Sequence, residues 1–215
     1  MAHDAKSAVG SAKSLATGGR VTVAGAIYIS GTASCRRRSR GMSDVVDRLK
    51  NLLGVPDFTP SPVSWSDVEA ELGLKLPQDF KEFCDYYPAI ELDDFLYLTH
   101  PTARDKYDNF LSNAVIQGTA LSELVEEDPD QFAYGSYPAL GGLLAWGVNA
   151  FGQNLYWATE GKPDDWKIVT GDLVDYHFLY DGNFSSFLLG TLEGTIRNPI
   201  LGHYDDRLKK IRFRR

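Results

Sequence analysis

Residues 65–83 read WSDVEAELGLKLPQDFKEF, and this stretch decides the fold. It holds two short helical patterns. Ser64 and Asp67 are placed as a capping box for the first helix, which ends at Gly73 because glycine readily takes the left-handed conformation of a C-cap. Pro77 suits the first turn of the second helix, where its missing N–H leaves no bond unmade. The spacing predicts these inward positions: Trp65, Val68 and Leu72 in the first helix, and Phe80, Phe83, Cys84 and Tyr87 in the second.

Further patterns lie on both sides of this stretch. Upstream, apolar residues between positions 45 and 53 share one helical face that ends at Gly54. Downstream, residues 92–98 are apolar enough for one strand, and helical spacing begins at Tyr107. Four more strands are predicted at residues 143–148, 154–159, 166–170 and 175–180, followed by a helix that begins after Asn183.

The connections between these four strands are short, which favours antiparallel hairpins because parallel neighbours need a longer crossover. Helices come first in the chain, then the strands, then one more helix. We therefore predict an α+β fold, with a central antiparallel sheet of about four to six strands and helices packed against it.

Charge is distributed very unevenly along the 215 residues, although the net charge is only -7. Residues 1–42 carry seven bases and one acid, and residues 207–215 carry six bases and no acid. Residues 43–206 carry nine bases and 28 acids. A body this acidic repels nucleic acid and attracts basic proteins.

These shifts in composition divide the chain into three segments. We predict a disordered basic leader over residues 1–42, with an over-extended gene start as the alternative, a folded domain over 43–204, and a basic C-terminal tail over 205–215. The tail alternates bases with apolar residues. It could touch nucleic acid or an anionic membrane, or it could fold back on the acidic body, and we interpret it as a tail.

No motif in the sequence indicates catalysis. The four histidines lack metal-ligand spacing, and no phosphate-binding or hydrolase motif is present. His177 beside Asp175 could form a base and its orienting acid, but a structural strand histidine is the simpler interpretation. We predict no enzyme activity, no cofactor and no metal. Two cysteines, Cys35 and Cys84, fit a reducing compartment, so we expect a cytoplasmic protein.

The opening stretch, together with LLAWGVNAFG at residues 143–152, LYW at 155–157 and PDDW at 163–166, resembles the SMI1/KNR4 (SUKH) family. The likeness covers residues 43–201 and implies an α+β fold with a non-enzymatic role. We interpret the matching positions as residues that make the fold: Trp65, Glu69, Leu72, Gly73, Leu76, Pro77, Phe80, Trp146, Gly147, Gly152 and Trp166.

Many bacterial members of that family are immunity proteins that neutralise polymorphic or contact-dependent toxins, often nucleases. The resemblance therefore implies a protein that binds a cognate toxin, and the acidity of residues 43–206 indicates that this toxin is basic. We expect a monomer or weak dimer that binds neither nucleic acid nor a membrane. The alternative is a cytosolic regulatory scaffold, like the fungal regulators of cell-wall synthesis. Acids expected to contact a toxin are Asp93, Asp94, Asp105, Asp108, Glu126, Glu127, Asp128, Asp164 and Asp165.

Overall fold

An antiparallel sheet of seven strands lies at the centre of the computed structural model, which describes residues 41–171, 177–201 and 210–215. The strands are β1 (Ala89–Leu92), β2 (Leu96–Leu98), β3 (Leu143–Asn149), β4 (Asn154–Ala158), β5 (Lys167–Gly171), β6 (His177–Tyr180) and β7 (Ile211–Arg214). Their order across the sheet is β6-β5-β4-β3-β2-β1-β7. Every neighbouring pair is antiparallel, including the β3–β4, β4–β5 and β5–β6 pairs that the short connections predicted.

Five α-helices pack around this sheet, so the α+β prediction is confirmed. They are α1 (Gly41–Leu53), α2 (Trp65–Leu72), α3 (Gln78–Tyr86), α4 (Phe110–Glu127) and α5 (Phe184–Leu192), and a 3-10 turn spans Pro163–Asp165. The main core joins one sheet face to α1, α2, α3 and α5. The second half of α4 covers the other face through Leu121 and Val125.

Strand alternation divides the buried side chains between two cores. In β3, Leu144 and Trp146 enter the main core, whereas Leu143 and Ala145 enter the smaller core beneath α4. Phe80 is only 1% exposed and lies among aromatic rings of the main core. Its ring centroid is 4.9 Å from Trp157, 5.2 Å from Phe184 and 5.3 Å from Phe110. Burying each such ring stabilises the fold by about 1.5–3 kcal/mol.

Residues 92–98 form a hairpin rather than the single strand that we predicted. The N–H of Phe95 donates to the carbonyl of Leu92 at 2.9 Å. Asp93 and Asp94 occupy the tip with φ of 54° and 53°, as in a type I′ turn. The prediction was wrong because this turn usually carries Asn-Gly or Asp-Gly, and two aspartates gave no turn signal.

The tail residues 211–214 form the seventh strand, so the fold-back alternative is the one that the structure adopts. β7 pairs with β1 in antiparallel register, with Ile211 opposite Leu92 and Phe213 opposite Ile90. Ile211 and Phe213 are half-buried against the main core, and the ring of Phe213 stacks on Tyr87 at 6.0 Å. Pairing with β1 therefore buries the apolar half of the tail's alternating pattern.

Helix N-termini are capped by residues from other elements as well as by neighbours. Ser64 makes no side-chain cap bond to α2, contrary to the capping-box prediction. Asp164 instead caps α3 across the fold, since its Oδ1 accepts the Gln78 N–H at 2.7 Å. In the same way, Asp79 Oδ2 accepts the Ser185 N–H of α5 at 2.7 Å. These bonds satisfy amides that the helices themselves leave unpaired.

Candidate protein-binding surface

Nine acids were expected to contact a toxin, and the structure distributes them over four regions. Asp93, Asp94 and Asp108 lie beside β7, while Asp105 is in the loop before α4. Glu126 and Glu127 end α4, Asp128 is its C-cap, and Asp164 and Asp165 belong to the 3-10 turn. In the first region, Asp94 and Asp108 form ion pairs with the protein's own bases. In the other regions, some carboxylates accept hydrogen bonds and others have no ion pair among the described residues.

The β1–β7 ion-pair cluster consists of Glu91, Asp94, Asp108, Lys210, Arg212 and Arg214. Glu91 is 5% exposed, and each of its oxygens meets one arginine of β7. Arg212 Nη1 lies 2.6 Å from Oε1, and Arg214 Nη1 lies 2.9 Å from Oε2. Sequence reasoning missed Glu91 as a member of this cluster. The available signal was the base at every second tail position, which places those bases on one side of a strand.

The aspartates of this cluster respond differently to it. Asp94 forms ion pairs with Lys210 and Arg212, and the hydrogen bond from Lys210 lowers the pKa of its carboxyl. Asp108 is buried, which raises the pKa of its carboxyl, although the hydrogen bond from Arg214 Nε at 2.7 Å opposes that rise. Neither carboxylate is an unpaired charge that a partner would meet directly.

The acidic end of α4 consists of Glu123, Glu126, Glu127, Asp128 and Asp130. All five side chains are exposed, and none has an ion-pair partner among the described residues. The last turn of α4 has no base. Leu124 lies within this segment with 46% of its surface exposed. The end of α4 thus combines one exposed apolar side chain with five exposed acids that have no ion pair among the described residues.

Three acids remain: Asp164 and Asp105 accept hydrogen bonds that stabilise local structure, and Asp165 has no such contact among the described residues. Asp164 caps α3, as noted above, whereas its neighbour Asp165 is exposed. Asp105 Oδ1 accepts the N–H of Tyr107 at 2.8 Å and so shapes the loop before α4. Tyr107 is 58% exposed, and the ammonium of Lys106 lies 4.7 Å from its ring centroid.

Glu69 holds together the loop between α2 and α3. Its carboxylate accepts the Leu76 N–H at 3.1 Å and forms ion pairs with Lys75 at 2.7 Å and Lys81 at 3.0 Å. Burial opposes ionisation, but the hydrogen bonds from Lys75, Leu76 and Lys81 outweigh it and lower the pKa of Glu69 to about 2. This glutamate therefore has a structural environment rather than an open, reactive one.

Other residues of the resemblance also have packing roles. Gly147 follows a register shift in β3, and a Cβ there would lie 2.9 Å from the carbonyl oxygen of Tyr97. Gly73 is the left-handed C-cap of α2, with φ of 76°. Trp65 donates from Nε1 to Asp85 at 2.9 Å, and Trp166 packs against Trp157 at 6.2 Å.

No side-chain arrangement in the described residues indicates catalysis. His100 is 1% exposed, with Nε2 2.9 Å from the carbonyl oxygen of Cys84, and burial lowers its pKa. Burial also raises the pKa of the Cys84 thiol. His177 packs edge-on against Tyr134 at 5.8 Å, while Asp175 lies outside the described residues. Within that part of the chain, no three metal-ligating side chains come together, and no helix is long and apolar enough to cross a bilayer.

Sequence comparison connects this fold to a known family. A family model described as SMI1-KNR4 cell-wall, SUKH_6, matches residues 63–188, from just before α2 into α5. The chain belongs to this SUKH family. No curated protein and no solved structure matches the sequence. The match includes the residues quoted for the resemblance, and the SMI1-KNR4 family is generally non-catalytic. The SUKH match ends before β7, so the β1–β7 ion-pair cluster includes a strand outside the matched region.

Proposed function

We propose that this SUKH domain is an immunity protein that binds a basic protein toxin and blocks its active site. The acidic end of α4 is the proposed contact surface. The observation that supports this proposal is the run of five exposed acids without ion-pair partners in the described residues, surrounding the partly exposed Leu124.

This placement of charge destabilises the helix that carries it. Acids at a helix C-terminus oppose the helix dipole, each by about 0.3–1 kcal/mol. Glu123 and Glu127 are also four residues apart, and like charges at that spacing destabilise a helix by about 0.2–0.5 kcal/mol. No described ion pair offsets these terms, whereas a basic partner would reverse their sign on binding.

The position of the acids also suits rapid capture of a toxin. Toxins that act on nucleic acid present basic active-site surfaces, and an acidic surface increases the rate of their encounter. Of the nine acids first expected to make contact, Glu126, Glu127 and Asp128 best fit this role because they are exposed and unpaired. Asp94 and Asp108 already pair with arginines of β7, and Asp93 accepts the backbone N–H of Lys210.

The test measures binding of the full chain to toxin domains encoded beside its gene. We expect a one-to-one complex that abolishes toxin activity, with an association rate that falls as salt increases. The variant Glu123→Gln/Glu126→Gln/Glu127→Gln should associate about tenfold more slowly at low ionic strength, with a smaller change in the dissociation rate.

A matched control removes the same charge elsewhere. Asp57, Asp67 and Glu71 are exposed acids that precede or lie in α2. The variant Asp57→Asn/Asp67→Asn/Glu71→Gln should slow association much less than the α4 variant. Equal slowing by both variants would show that net charge, rather than the acidic end of α4, directs the toxin. Failure to protect against every neighbouring toxin would overturn the immunity function itself.

A further inference from the structure

The β1 edge recognises β7 by two independent features. On one side of β7, Ile211 and Phe213 pack against the main core. On the other side, Arg212 and Arg214 form ion pairs with Glu91, and Lys210 pairs with Asp94. The edge therefore accepts a strand in which bases alternate with apolar residues.

The buried acids beside this edge, Glu91 and Asp108, form their described ion pairs with β7. Glu91 is buried at 5% exposure, and both of its described ion pairs come from β7. Arg214 also reaches Asp108, which is 7% exposed and lies in the loop before α4. Without a basic strand beside it, Glu91 would lose both of the arginines that neutralise its carboxylate.

The hairpin between β1 and β2 is also shaped for this strand. Asp93 and Asp94 hold positive φ, a conformation that non-glycine residues seldom adopt. Both carboxylates contact β7 or the residue before it: Asp93 Oδ1 accepts the Lys210 N–H at 2.8 Å, and Asp94 pairs with Lys210 and Arg212. The Asp93 N–H also donates to the Lys210 carbonyl at 2.8 Å. Asp93 and Asp94 thus adopt an unfavourable backbone conformation in which they make backbone and side-chain contacts to residues 210–214.

We propose that the β1 edge, with Glu91, Asp93, Asp94 and Asp108, is a receptor for basic, alternating β-strands, and that β7 is its exchangeable resident. The occupant that replaces β7 is a strand of the basic partner, a step that rests on the proposed function. Exchange preserves the antiparallel ladder and the ion pairs, since an incoming strand of the same pattern remakes each contact that β7 gives up.

Several features favour exchange over a permanent strand. β7 is four residues long, and its backbone pairs only with β1 among the described strands. The side chains of Arg212 and Arg214 remain 48% and 39% exposed, so solvent and salt weaken their ion pairs. The largest apolar anchor is Phe213, which stacks on Tyr87. Weakening that single anchor should open the edge to another strand.

The experiment titrates the full chain into a fluorescent peptide with the sequence of residues 209–215, KKIRFRR, and measures anisotropy. The control peptide IFKKRRR has the same composition with the alternation removed. We expect Phe213→Ala to bind KKIRFRR at least about tenfold more tightly than the wild-type chain does. It should also prefer KKIRFRR over the control peptide, and a second substitution, Glu91→Gln, should remove that preference.

Two results would overturn the proposal. Equal binding of both peptides to Phe213→Ala would mean that charge alone attracts them, and no gain over wild type would mean that β7 is not exchangeable. Circular dichroism checks that the variant folds. If it does not fold, Arg212→Gln takes the place of Phe213→Ala as the variant that weakens β7. Asp94→Asn then takes the place of Glu91→Gln as the variant that alters the β1 edge, and the same two outcomes apply. Because the assay contains no toxin, its failure leaves the α4 surface untouched, and failed toxin capture leaves the peptide result standing.

Discussion

At the scale of single residues, Glu69 shows how one carboxylate can fix a loop. It is buried at 7% exposure, yet it receives the Leu76 N–H and the Lys75 ammonium from the loop before α3 and the Lys81 ammonium from α3 itself. Three donors around one carboxylate stabilise its charged form more than burial penalises it. The loop between α2 and α3 therefore depends on a charge inside the fold.

The pKa of Glu69 predicts how stability changes with pH. Its folded-state pKa is about 2, below the ordinary value of 4.5. The charged form thus contributes stability above pH 4.5, and this contribution is lost as the pH falls from 4.5 toward 2. We expect Glu69→Gln to lower the free energy of unfolding by about 1–3 kcal/mol at pH 7. Urea denaturation at several pH values should show the difference shrinking below pH 4.5.

Glu71 provides the control on the same helix, because its side chain is exposed and has no ion pair among the described residues. The variant Glu71→Gln should track the wild-type chain within about 0.5 kcal/mol at every pH. A difference between wild type and Glu69→Gln that stayed constant from pH 7 to pH 2.5 would contradict the assigned pKa.

At the scale of elements, two helices are capped by side chains from other elements, which we call crossed caps. These caps make neighbouring helices dependent on one another. The 3-10 turn caps α3 through Asp164, and α3 caps α5 through Asp79. Asn183 also caps α5 locally, accepting the Ser186 N–H at 3.0 Å. Each of these helices is nine residues long, a length at which tertiary contacts provide most of the stability.

Removing one crossed cap should destabilise the domain measurably. Asp164→Ala leaves the Gln78 N–H without its acceptor and should lower the free energy of unfolding by about 0.5–2 kcal/mol. Asp165→Ala changes the next residue, which is exposed and caps no helix, so it should cost less than about 0.5 kcal/mol. Chemical denaturation of both variants gives the comparison. Similar losses at the two positions would rule out a capping role for Asp164.

Elements that depend on local pattern were predictable, whereas those that depend on distant partners were not. Periodicity located α2, α3, α5 and the strands β3 to β6 because the spacing of apolar residues inside each segment defines its buried face. β7 has only four residues, and its pattern is explained by acids about 120 positions earlier. The cap from Asp164 lies 86 residues from Gln78.

The candidate site divides in the same way. Glu126, Glu127 and Asp128 could be selected because their unfavourable placement at a helix C-terminus is visible in the sequence. Glu91 could not, since its role follows from strand pairing with Arg212. For the same reason, the sequence did not separate Asp94 from the acids that remain unpaired.

At the scale of the whole molecule, the acidic body has two surfaces of different character. Beside β7, the acids of the body are matched by bases from the tail. At the end of α4, the acids have no such match among the described ion pairs. The end of α4 is therefore a region of negative charge that no base of the described residues balances by an ion pair.

This imbalance predicts opposite effects on stability and binding. Glu126→Gln/Glu127→Gln should raise the free energy of unfolding by about 0.3–1 kcal/mol, since it removes two charges that oppose the dipole of α4. The same variant should associate more slowly with the toxin. Thermal denaturation at low salt measures the first effect, and the gain should decline as salt is added. A loss of stability would show that these acids support the fold, contrary to the proposed function.

The pairing of β7 with β1 has a consequence during translation. Along the chain, Leu92 and its partner Ile211 are 119 positions apart. A ribosome makes β1 long before it makes β7, and domains begin to fold while synthesis continues. During that interval the edge of β1 is unpaired, and Glu91 has neither Arg212 nor Arg214 beside it. A newly made copy would therefore meet other strands before it meets its own.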